Sequence, residues 1–256
     1  MLLKEFKVEK KDILQAEKFK ELGNKYGVKY LKWEDYLRLG IFEQERIFLR
    51  LGDEPVNIRK IRRIKKFNII FSQNCEVPSE NIIPIPLGLT DTSHCKLIGD
   101  LDIIVNQNKQ ERKYINLAYK NFNSSRRDRG FEERKIVEEK FGNKSWVTNG
   151  KFQRDKSGHA KFISEMYNHK FVLCPRGNGV DTHRLWMSLY LGTIPVVKNH
   201  IVHSTFKHLP ILFVNDWDEV TEDFLNQKFE EIHSKEYDFS ILKMEYWEKL
   251  FFEKLR

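Results

Sequence analysis

Apolar and polar positions follow two alternating patterns along the chain. Short, largely apolar runs predict buried strands, at residues 28–33, 46–51, 68–71, 114–119, 145–147, 170–174, 194–197 and 209–214. Between these runs apolar residues recur at helical spacing, which predicts helices at 12–25, 34–39, 56–66, 131–141, 162–167, 218–228 and 238–255. Strands that alternate with helices through short loops form parallel sheets with helices on both faces. The pattern therefore predicts an α/β protein.

One polar segment interrupts this pattern. Residues 90–112 are polar and weakly periodic, and we expect a linker at 105–112. The preceding residues 82–87 (IIPIPL) are expected to be extended, because two prolines exclude a helix. The chain is long enough for two small domains. We therefore expect one Rossmann-like domain at 1–110 and a second one at 111–256, each built on a parallel sheet.

Composition narrows the classes of ligand and compartment. The 256 residues include 45 basic and 37 acidic side chains, a net charge of +8, which favours an anionic ligand. No apolar run approaches the roughly 18 residues of a membrane-spanning helix, and the first residues lack the apolar core of a signal peptide. Three separate cysteines, Cys75, Cys95 and Cys174, argue against a zinc site and a disulfide framework. We expect a cytoplasmic protein.

The most specific signal lies in residues 170–198 (KFVLCPRGNGVDTHRLWMSLYLGTIPVVK), which predict a strand, a glycine loop, a helix and a second strand. Asp181 or Thr182 can cap the helix, and Gly192 can end it. A turn from a strand into a helix offers unpaired backbone N–H groups and the positive end of the helix dipole. Such a turn binds anions, above all phosphate.

Side chains around this loop extend the predicted anion site. Arg176 precedes the turn and Arg184 lies one turn into the helix, and both guanidinium groups can fork onto phosphate oxygens. A second basic loop follows the strand predicted at 114–119. In open parallel sheets, ligands bind at the carboxyl ends of the strands, which is where this loop begins. For Arg126 in that loop we expect either a contact with the phosphate or the base of a nucleotide, or a solvated charge. Asn121 and Ser125 are further candidates that line the site.

The segment 174–197 (CPRGNGVDTHRLWMSLYLGTIPVV) resembles the exostosin-like glycosyltransferases, especially their short bacterial and viral versions. Those proteins have a strand, then Pro-Arg-Gly-Asn-Gly, Asp, a variable residue, His and Arg. Weaker similarities lie at 71–74 (FSQN), 83–88 (IPIPLG) and 119–122 (YKNF). The resemblance implies two Rossmann-like halves that face each other across a cleft, the GT-B arrangement. It also implies that the C-terminal half holds the nucleotide sugar and that the site needs no metal.

By this resemblance, the donor site includes the glycine loop and the start of the helix: Arg176, Gly177, Asn178, Gly179, Asp181, Thr182, His183, Arg184 and Met187. We expect Gly177 and Gly179 to permit an unusual backbone conformation and a close approach of the ligand, or to form an ordinary turn. Asp181 is expected to cap the helix or to contact the ligand. His183 can touch phosphate or sugar, or serve the fold.

Met187 departs from the family pattern. The family usually has a Glu here, which is expected to accept hydrogen bonds from the donor ribose, and a thioether is a far weaker acceptor. A weaker donor site, a different donor, an engineered substitution and an inactive relative all fit this departure. The alternative function is therefore a nucleotide- or glycan-binding relative with little or no activity.

The resemblance also implies a transfer that inverts the sugar carbon, and such a transfer needs a base, a carboxylate or a histidine near the acceptor hydroxyl. Asp53 directly follows the strand predicted at 46–51, at the edge where cleft residues belong, and it is the expected base. Other candidates remain open: Asp35, Glu54, Glu76, Asp91 and His94.

A basic run lies at 59–66 (RKIRRIKK), with six basic side chains in eight residues. It is either a solvated helix face or a contact for an anionic glycan, lipid surface or nucleic acid. The chain lacks a helix-turn-helix, RNA-recognition or zinc-finger pattern, so we expect no nucleic-acid partner.

The sequence as a whole predicts a glycosyltransferase that moves a sugar from a nucleotide-sugar donor, a UDP-sugar, to a hydroxyl of a glycan or glycoconjugate.

Overall fold

The computed structural model describes residues 1–30, 47–57, 69–90, 101–125, 127–151 and 156–256. The helix predicted at 34–39 and the basic run 59–66 lie outside these residues, so the expectation of an anionic surface contact stays a prediction. The described residues form two parallel sheets together with helices, which confirms the predicted α/β class.

The first sheet has four strands in the described part of the chain. They are β1 (Lys29–Tyr30), β2 (Ile47–Arg50), β3 (Ile69–Ser72) and β4 (Ile82–Pro84), parallel and in this order. The register aligns Leu49 with Phe71, and both side chains are buried. Helix α1 (Ala16–Lys25) buries Phe19 and Leu22. Apolar residues at strand and helix spacing thus form the core of this half.

The second sheet has five parallel strands in a different order. They are β5 (Asn116–Lys120), β6 (Val147–Asn149), β7 (His169–Leu173), β8 (Ile194–Lys198) and β9 (Leu212–Val214), and they lie in the order β6-β5-β7-β8-β9. This is a doubly wound order, since the chain adds strands on one side of β5 and then on the other. The central strand β7 is buried almost throughout, as expected for a strand covered on both faces.

Six further helices lie in the described residues: α2 (Leu101–Asn108), α3 (Phe131–Phe141), α4 (Lys156–Tyr167), α5 (His183–Tyr190), α6 (Glu222–His233) and α7 (Met244–Leu255). The helix predicted at 131–141 is confirmed at both ends. The prediction that the next-to-last helix starts at residue 218 is wrong, because Trp217–Glu219 form a 3-10 turn and the side chain of Thr221 caps α6. None of the helices of the described residues is long and apolar enough to cross a membrane.

The linker predicted at 105–112 is wrong in its local structure. Helix α2 runs to Asn108, which is buried and donates hydrogen bonds to the carbonyl oxygens of Phe6 (3.1 Å) and Tyr190 (2.8 Å). Arg112 donates to the carbonyl oxygens of Leu191 and, at 2.9 Å, His169. The polar side chains that suggest a loop instead bind backbone carbonyl oxygens of distant segments. The domain boundary near residue 110 itself stays a prediction.

The two ends of the chain pack against the opposite halves. In helix α7, the ring of Phe251 stacks on Phe71 of β3, with centroids 3.8 Å apart, and Trp247 meets Phe19 of α1 edge to face at 5.8 Å. At the other end, the ring of Phe6 stacks on Phe239 at 4.5 Å. Residues far apart in the chain thus share one set of aromatic contacts at each end.

Candidate functional site

The strand order marks one edge of the second sheet as the place where ligands bind in doubly wound folds. The connections diverge at the carboxyl ends of β5 and β7, which are neighbours in the sheet. Asn121 directly follows β5, and Arg176 follows β7 after Cys174 and Pro175. The structure therefore brings the two predicted basic loops to the same edge.

Several backbone N–H groups of the glycine loop after β7 already have hydrogen-bond acceptors within the protein. The N–H of Arg176 donates to Oε1 of Glu133 (3.2 Å), and the N–H of Gly177 donates to the carbonyl oxygen of Gly179 (3.0 Å). The N–H of Asp181 donates to Oδ1 of Asn74 (2.9 Å). The prediction of a loop with unpaired amides is therefore wrong for these three groups. The charge available to an anion comes mainly from side chains.

The glycines of this region serve close packing. A methyl group at Gly179 would lie 2.8 Å from the side-chain amide of Asn74 and 2.9 Å from the carbonyl oxygen of Asp53. One at Gly130 would lie 2.3 Å from the carbonyl oxygen of Arg176, whereas at Gly177 the nearest atom is 4.0 Å away. Neither Gly177 nor Gly179 has a positive φ, so the expected unusual backbone conformation is wrong. Gly179 is required because the first half of the chain touches the loop there.

Arg184 lies in the first turn of α5 and reaches across to β5. Its Nε donates to the carbonyl oxygen of Asn121 (3.0 Å), and its guanidinium lies 5.5 Å from the ring centre of Phe122. Its two terminal nitrogens have no hydrogen-bond partner among the described residues. Burial lowers the pKa of this arginine from its usual value, and the group stays a cation at neutral pH. It is therefore a fixed positive charge with free donors.

Asn121 is buried beside Tyr119, and its amide nitrogen donates to the tyrosine oxygen at 2.8 Å. Tyr119 in turn donates to Glu165 at 2.7 Å. Oδ1 of Asn121 is buried without a hydrogen-bond partner. The predicted lining residue thus lies at the strand end, held by its neighbours and with one acceptor left over.

Arg176 is half-buried beside a cavity of 150 Å³ at the carboxyl ends of β7 and β8. Its Nε is buried without a hydrogen-bond partner. Glu133, Val180, Lys198 and His203 also line this cavity. Arg176 and Arg184 thus lie on either side of the start of the glycine loop, one toward β8 and the other toward β5.

Asp181 does not cap the helix, contrary to expectation. Its carboxylate accepts from the backbone N–H of Leu87 and from the indole N–H of Trp186, both at 2.7 Å. The cap is Thr182, whose side chain accepts from the N–H of Leu185 at 3.4 Å. Burial raises the pKa of Asp181 to about 7 in spite of these donors. Asp181 therefore links α5 to the segment after β4.

Two further predicted donor-site residues, His183 and Met187, lie within α5. Nδ1 of His183 lies 2.8 Å from the carbonyl oxygen of Gly88, a second link to the segment after β4. Met187 is 1% exposed and belongs to the apolar core, as does Trp186. The departure at Met187 thus replaces an acceptor by an apolar side chain packed inside the protein.

Asp53, the expected base, is exposed on the turn after β2, and its carbonyl oxygen faces Gly179. The neighbouring Glu54 lies 3.7 Å from the guanidinium of Arg129, at the edge of the second sheet. Burial lowers the pKa of His200, and the negative charge of the half-buried Glu76 offsets this lowering only in part. The turn after β2 and the loop after β7 are therefore neighbours.

The other predicted residues divide into two groups. Asn178 is half-buried in the loop, and Ser125 is exposed and bonds only the side chain of Asn123, from its N–H at 2.9 Å and its Oγ at 2.8 Å. Some candidates lie outside the described residues: Arg126, Asp35, Asp91 and His94. Their proposed roles stay predictions.

Several residues of the site had no signal in the sequence. Glu133 receives the N–H of Arg176 and, at 3.3 Å, the indole N–H of Trp217. Asn74 holds the loop from the first half and has a φ of 49°, a conformation that Asn tolerates better than most residues. His203 is 2% exposed and lines the cavity. Their positions depend on tertiary contacts, which no local spacing reveals.

Within the described ranges, no group of three or more His, Cys, Asp and Glu side chains could hold a metal ion. The described cysteines, Cys75 and Cys174, are buried thiols, and burial raises the pKa of each, to about 11 and about 12.

No protein-family model and no curated protein sequence matches the chain significantly.

Proposed function

We propose that the chain is a glycosyltransferase that moves a sugar from a nucleotide-sugar donor, a UDP-sugar, to a hydroxyl of a glycan or glycoconjugate. The observation that carries this proposal is the pair Arg176 and Arg184 at the carboxyl edge of a doubly wound sheet. Arg184 keeps two terminal nitrogens free of protein partners among the described residues. The sequence of this loop is also the part that resembles the exostosin-like family.

The two arginines suit a diphosphate leaving group. When the bond between sugar and phosphate breaks, negative charge grows on the phosphate oxygens. Cations already held in place stabilise that charge without rearranging. Arg184 is held by Asn121 through its Nε, and Arg176 is held at the strand end by the bond of its N–H to Glu133. These charges would supply the stabilisation that a metal ion supplies in other transferases, so we propose a metal-independent reaction.

The acceptor would enter from the side of the first sheet, across the cleft of a GT-B arrangement. Asp53 is exposed on the turn whose backbone touches Gly179, and we propose that its carboxylate faces the acceptor hydroxyl. As a carboxylate it would take the acceptor proton while the oxygen attacks the sugar carbon from the face opposite the diphosphate. A single displacement of this kind inverts the configuration of that carbon.

A second candidate function is nucleotide or glycan binding without turnover. The observation that favours it is Met187, a buried apolar side chain at the position where the family has an acceptor for ribose hydroxyls. A missing hydrogen bond costs about 0.5–1.5 kcal/mol, and more when the ribose hydroxyls are buried unpaired.

The test is release of UDP from a panel of UDP-sugars, with and without glycan acceptors, by the wild-type chain and two arginine variants. Arg184→Ala removes a proposed phosphate contact, and we expect the rate to fall about 100-fold or more. Arg256→Ala removes the same charge at the exposed C-terminus and should leave the rate unchanged.

The outcomes separate the two functions. Consumption of one UDP-sugar that depends on Arg184 but not on Arg256 supports transfer. UDP binding without consumption of any nucleotide sugar supports the second candidate. A folded chain that neither binds nor consumes a nucleotide sugar, and that binds none of the glycan acceptors, contradicts both.

A further inference from the structure

A series of three hydrogen bonds connects helix α4 to Arg184. Glu165 on α4 accepts from the hydroxyl of Tyr119 at 2.7 Å, and the same hydroxyl oxygen accepts from the side-chain amide of Asn121 at 2.8 Å. The backbone carbonyl oxygen of Asn121 accepts from Nε of Arg184 at 3.0 Å. Glu165 thus reaches one of the two proposed phosphate contacts through two intermediate residues.

The protons of this series can point in one direction only. A carboxylate has no proton to donate, so the hydroxyl of Tyr119 donates to Glu165 and is left to accept from Asn121. Burial raises the pKa of Tyr119, and the positive charge of Arg184 offsets this only in part, so the phenol keeps its proton at neutral pH. Asn121 therefore has to present its amide nitrogen to the phenol, which fixes the orientation of its side chain.

Tyr119 is the one hydrogen-bond partner that the described residues give the side chain of Asn121. The other atom of the amide, Oδ1, is buried without a partner. Asn121 directly follows β5, at the point where the chain leaves the sheet. Because the carbonyl oxygen of this residue holds Arg184, the place of the guanidinium depends on how Asn121 itself is held.

Gly150, which follows β6, leaves room for this series of bonds. A methyl group there would overlap the hydroxyl oxygen of Tyr119 and would lie 2.7 Å from the amide nitrogen of Asn121. Gly150 has no positive φ, so its backbone conformation does not require a glycine. Close packing against the two hydrogen-bonded side chains does require one. Neither Gly150 nor Glu165 lies in a segment that resembles the exostosin-like family.

We propose that Glu165 and Tyr119 are positioning residues, which through Asn121 hold the guanidinium of Arg184 in the orientation that meets a phosphate. The inference rests on the proposed function, since it takes Arg184 as a phosphate contact. It adds that α4 and the end of β6, which the proposed function does not use, determine how well the phosphate is held. Supporting residues of this kind matter because a misplacement of about 1 Å can cost about 100-fold in rate.

The test is calorimetric titration of UDP into the wild-type chain and into variants of the series. Tyr119→Phe removes the hydroxyl and keeps the ring. Glu165→Leu removes the acceptor, whereas Glu165→Gln keeps a carbonyl oxygen that can accept from the phenol. Tyr167→Phe is the matched control, because it removes a tyrosine hydroxyl that donates to the carbonyl oxygen of Gln110, also at 2.7 Å. Thermal denaturation checks that each variant folds.

Tyr119→Phe and Glu165→Leu are also each combined with Arg184→Ala in a double-mutant cycle. A positioning residue acts through Arg184, so its substitution has no effect on UDP binding once the guanidinium is absent. A residue that only supports the fold affects UDP binding equally with and without Arg184.

We expect Tyr119→Phe and Glu165→Leu each to weaken UDP binding about tenfold when Arg184 is present and to leave it unchanged in the Arg184→Ala background. Glu165→Gln and Tyr167→Phe should bind UDP as the wild type does. If Glu165→Leu does not fold, the cycle with Tyr119→Phe decides.

Two results would overturn the inference and leave the phosphate role of Arg184 standing. One is wild-type affinity in Tyr119→Phe while Arg184→Ala binds UDP more weakly. The other is equal weakening by Tyr119→Phe in both backgrounds. A folded wild-type chain that does not bind UDP, or an Arg184→Ala variant that binds it with wild-type affinity, would overturn the inference together with the proposed phosphate site.

Discussion

The two sheets contribute different kinds of groups to the edge where they meet. From the second sheet come charged side chains, Arg176 and Arg184, whose remaining donors have no partner among the described residues. From the first sheet come mainly backbone groups and one amide: the carbonyl oxygens of Asp53 and Gly88, the N–H of Leu87 and the side chain of Asn74. The second half offers charge to a ligand, and the first half holds the loop that carries the charge.

Because of this difference, we expect substitutions on the two sides to affect different properties of the protein, stability on one side and ligand binding on the other. Changes on the first-sheet side should disturb the loop through lost packing and hydrogen bonds. Changes to the arginines should cost little stability, because their unpaired nitrogens make no hydrogen bond to any described residue, and should act on ligand binding instead. The following variants are ordered by the expected change in the free energy of unfolding.

Gly179→Ala should have the largest effect. Its methyl group would lie within 3 Å of both the Asn74 side chain and the Asp53 carbonyl oxygen, and overpacking of this kind costs about 3 kcal/mol. Gly177→Ala is the matched control, since its methyl group meets nothing closer than 4.0 Å, and it should change stability by less than about 1 kcal/mol. Urea denaturation measures both, and equal effects would contradict the proposed contact of the first half with the loop.

Asn74→Ala should cost about 2 kcal/mol. It leaves the buried N–H of Asp181 without an acceptor and removes the bond to the carbonyl oxygen of Gly52 at 3.3 Å. It also puts Ala at a φ of 49°, which Asn tolerates better. Asn149→Ala, which removes an exposed bond to Gly142, is the control and should cost less than about 0.5 kcal/mol. Chemical denaturation that gives the two variants the same stability would contradict this role of Asn74.

Asp181 should make stability depend on pH. Burial raises its pKa in the folded chain to about 7, against about 3.9 in an unfolded chain. Between these values the folded state holds a proton that the unfolded state has released, so the free energy of unfolding falls as pH rises, by up to about 1.4 kcal/mol per pH unit. Asp181→Asn should lack this contribution. Denaturation of both proteins at pH 5 and pH 7 tests it, and identical pH slopes would contradict it.

Arg184→Ala should have the smallest effect on stability. It removes one hydrogen bond, from Nε to the carbonyl oxygen of Asn121, which is worth about 1 kcal/mol. Arg184→Lys keeps the charge but not the planar fork and serves as the conservative variant. A loss of several kcal/mol in urea denaturation would show that Arg184 belongs to the framework and not to a ligand site.

The sequence predicted both ends of the helix at 131–141. It also predicted the glycine that ends α5, since Gly192 has a φ of 66°. It failed where polar residues serve tertiary contacts. Asn108 and Arg112 appeared as linker residues but bind carbonyl oxygens of the second half. The return of α7 to the first half depends on aromatic contacts between residues far apart in the chain, which no local pattern records.

For the candidate site, the structure shows where the predicted residues lie and which contacts hold them, while their roles stay predictions. Arg176, Arg184 and Asn121 lie at the predicted edge, and Asp53 lies next to the loop. Asp181 was expected as a cap because it precedes a helix, yet Thr182 fills that position and Asp181 binds Leu87 and Trp186. Local spacing allowed both residues as caps, and only the packing of α5 against the segment after β4 decides between them.

The most direct test of the central claim, that the edge between β5 and β7 holds a nucleotide diphosphate, is calorimetric titration of UDP into wild type, Arg184→Ala and Arg256→Ala. We predict one binding site in the wild type, at least tenfold weaker binding in Arg184→Ala and unchanged binding in Arg256→Ala. Wild-type affinity in Arg184→Ala, with the protein folded, would contradict the claim.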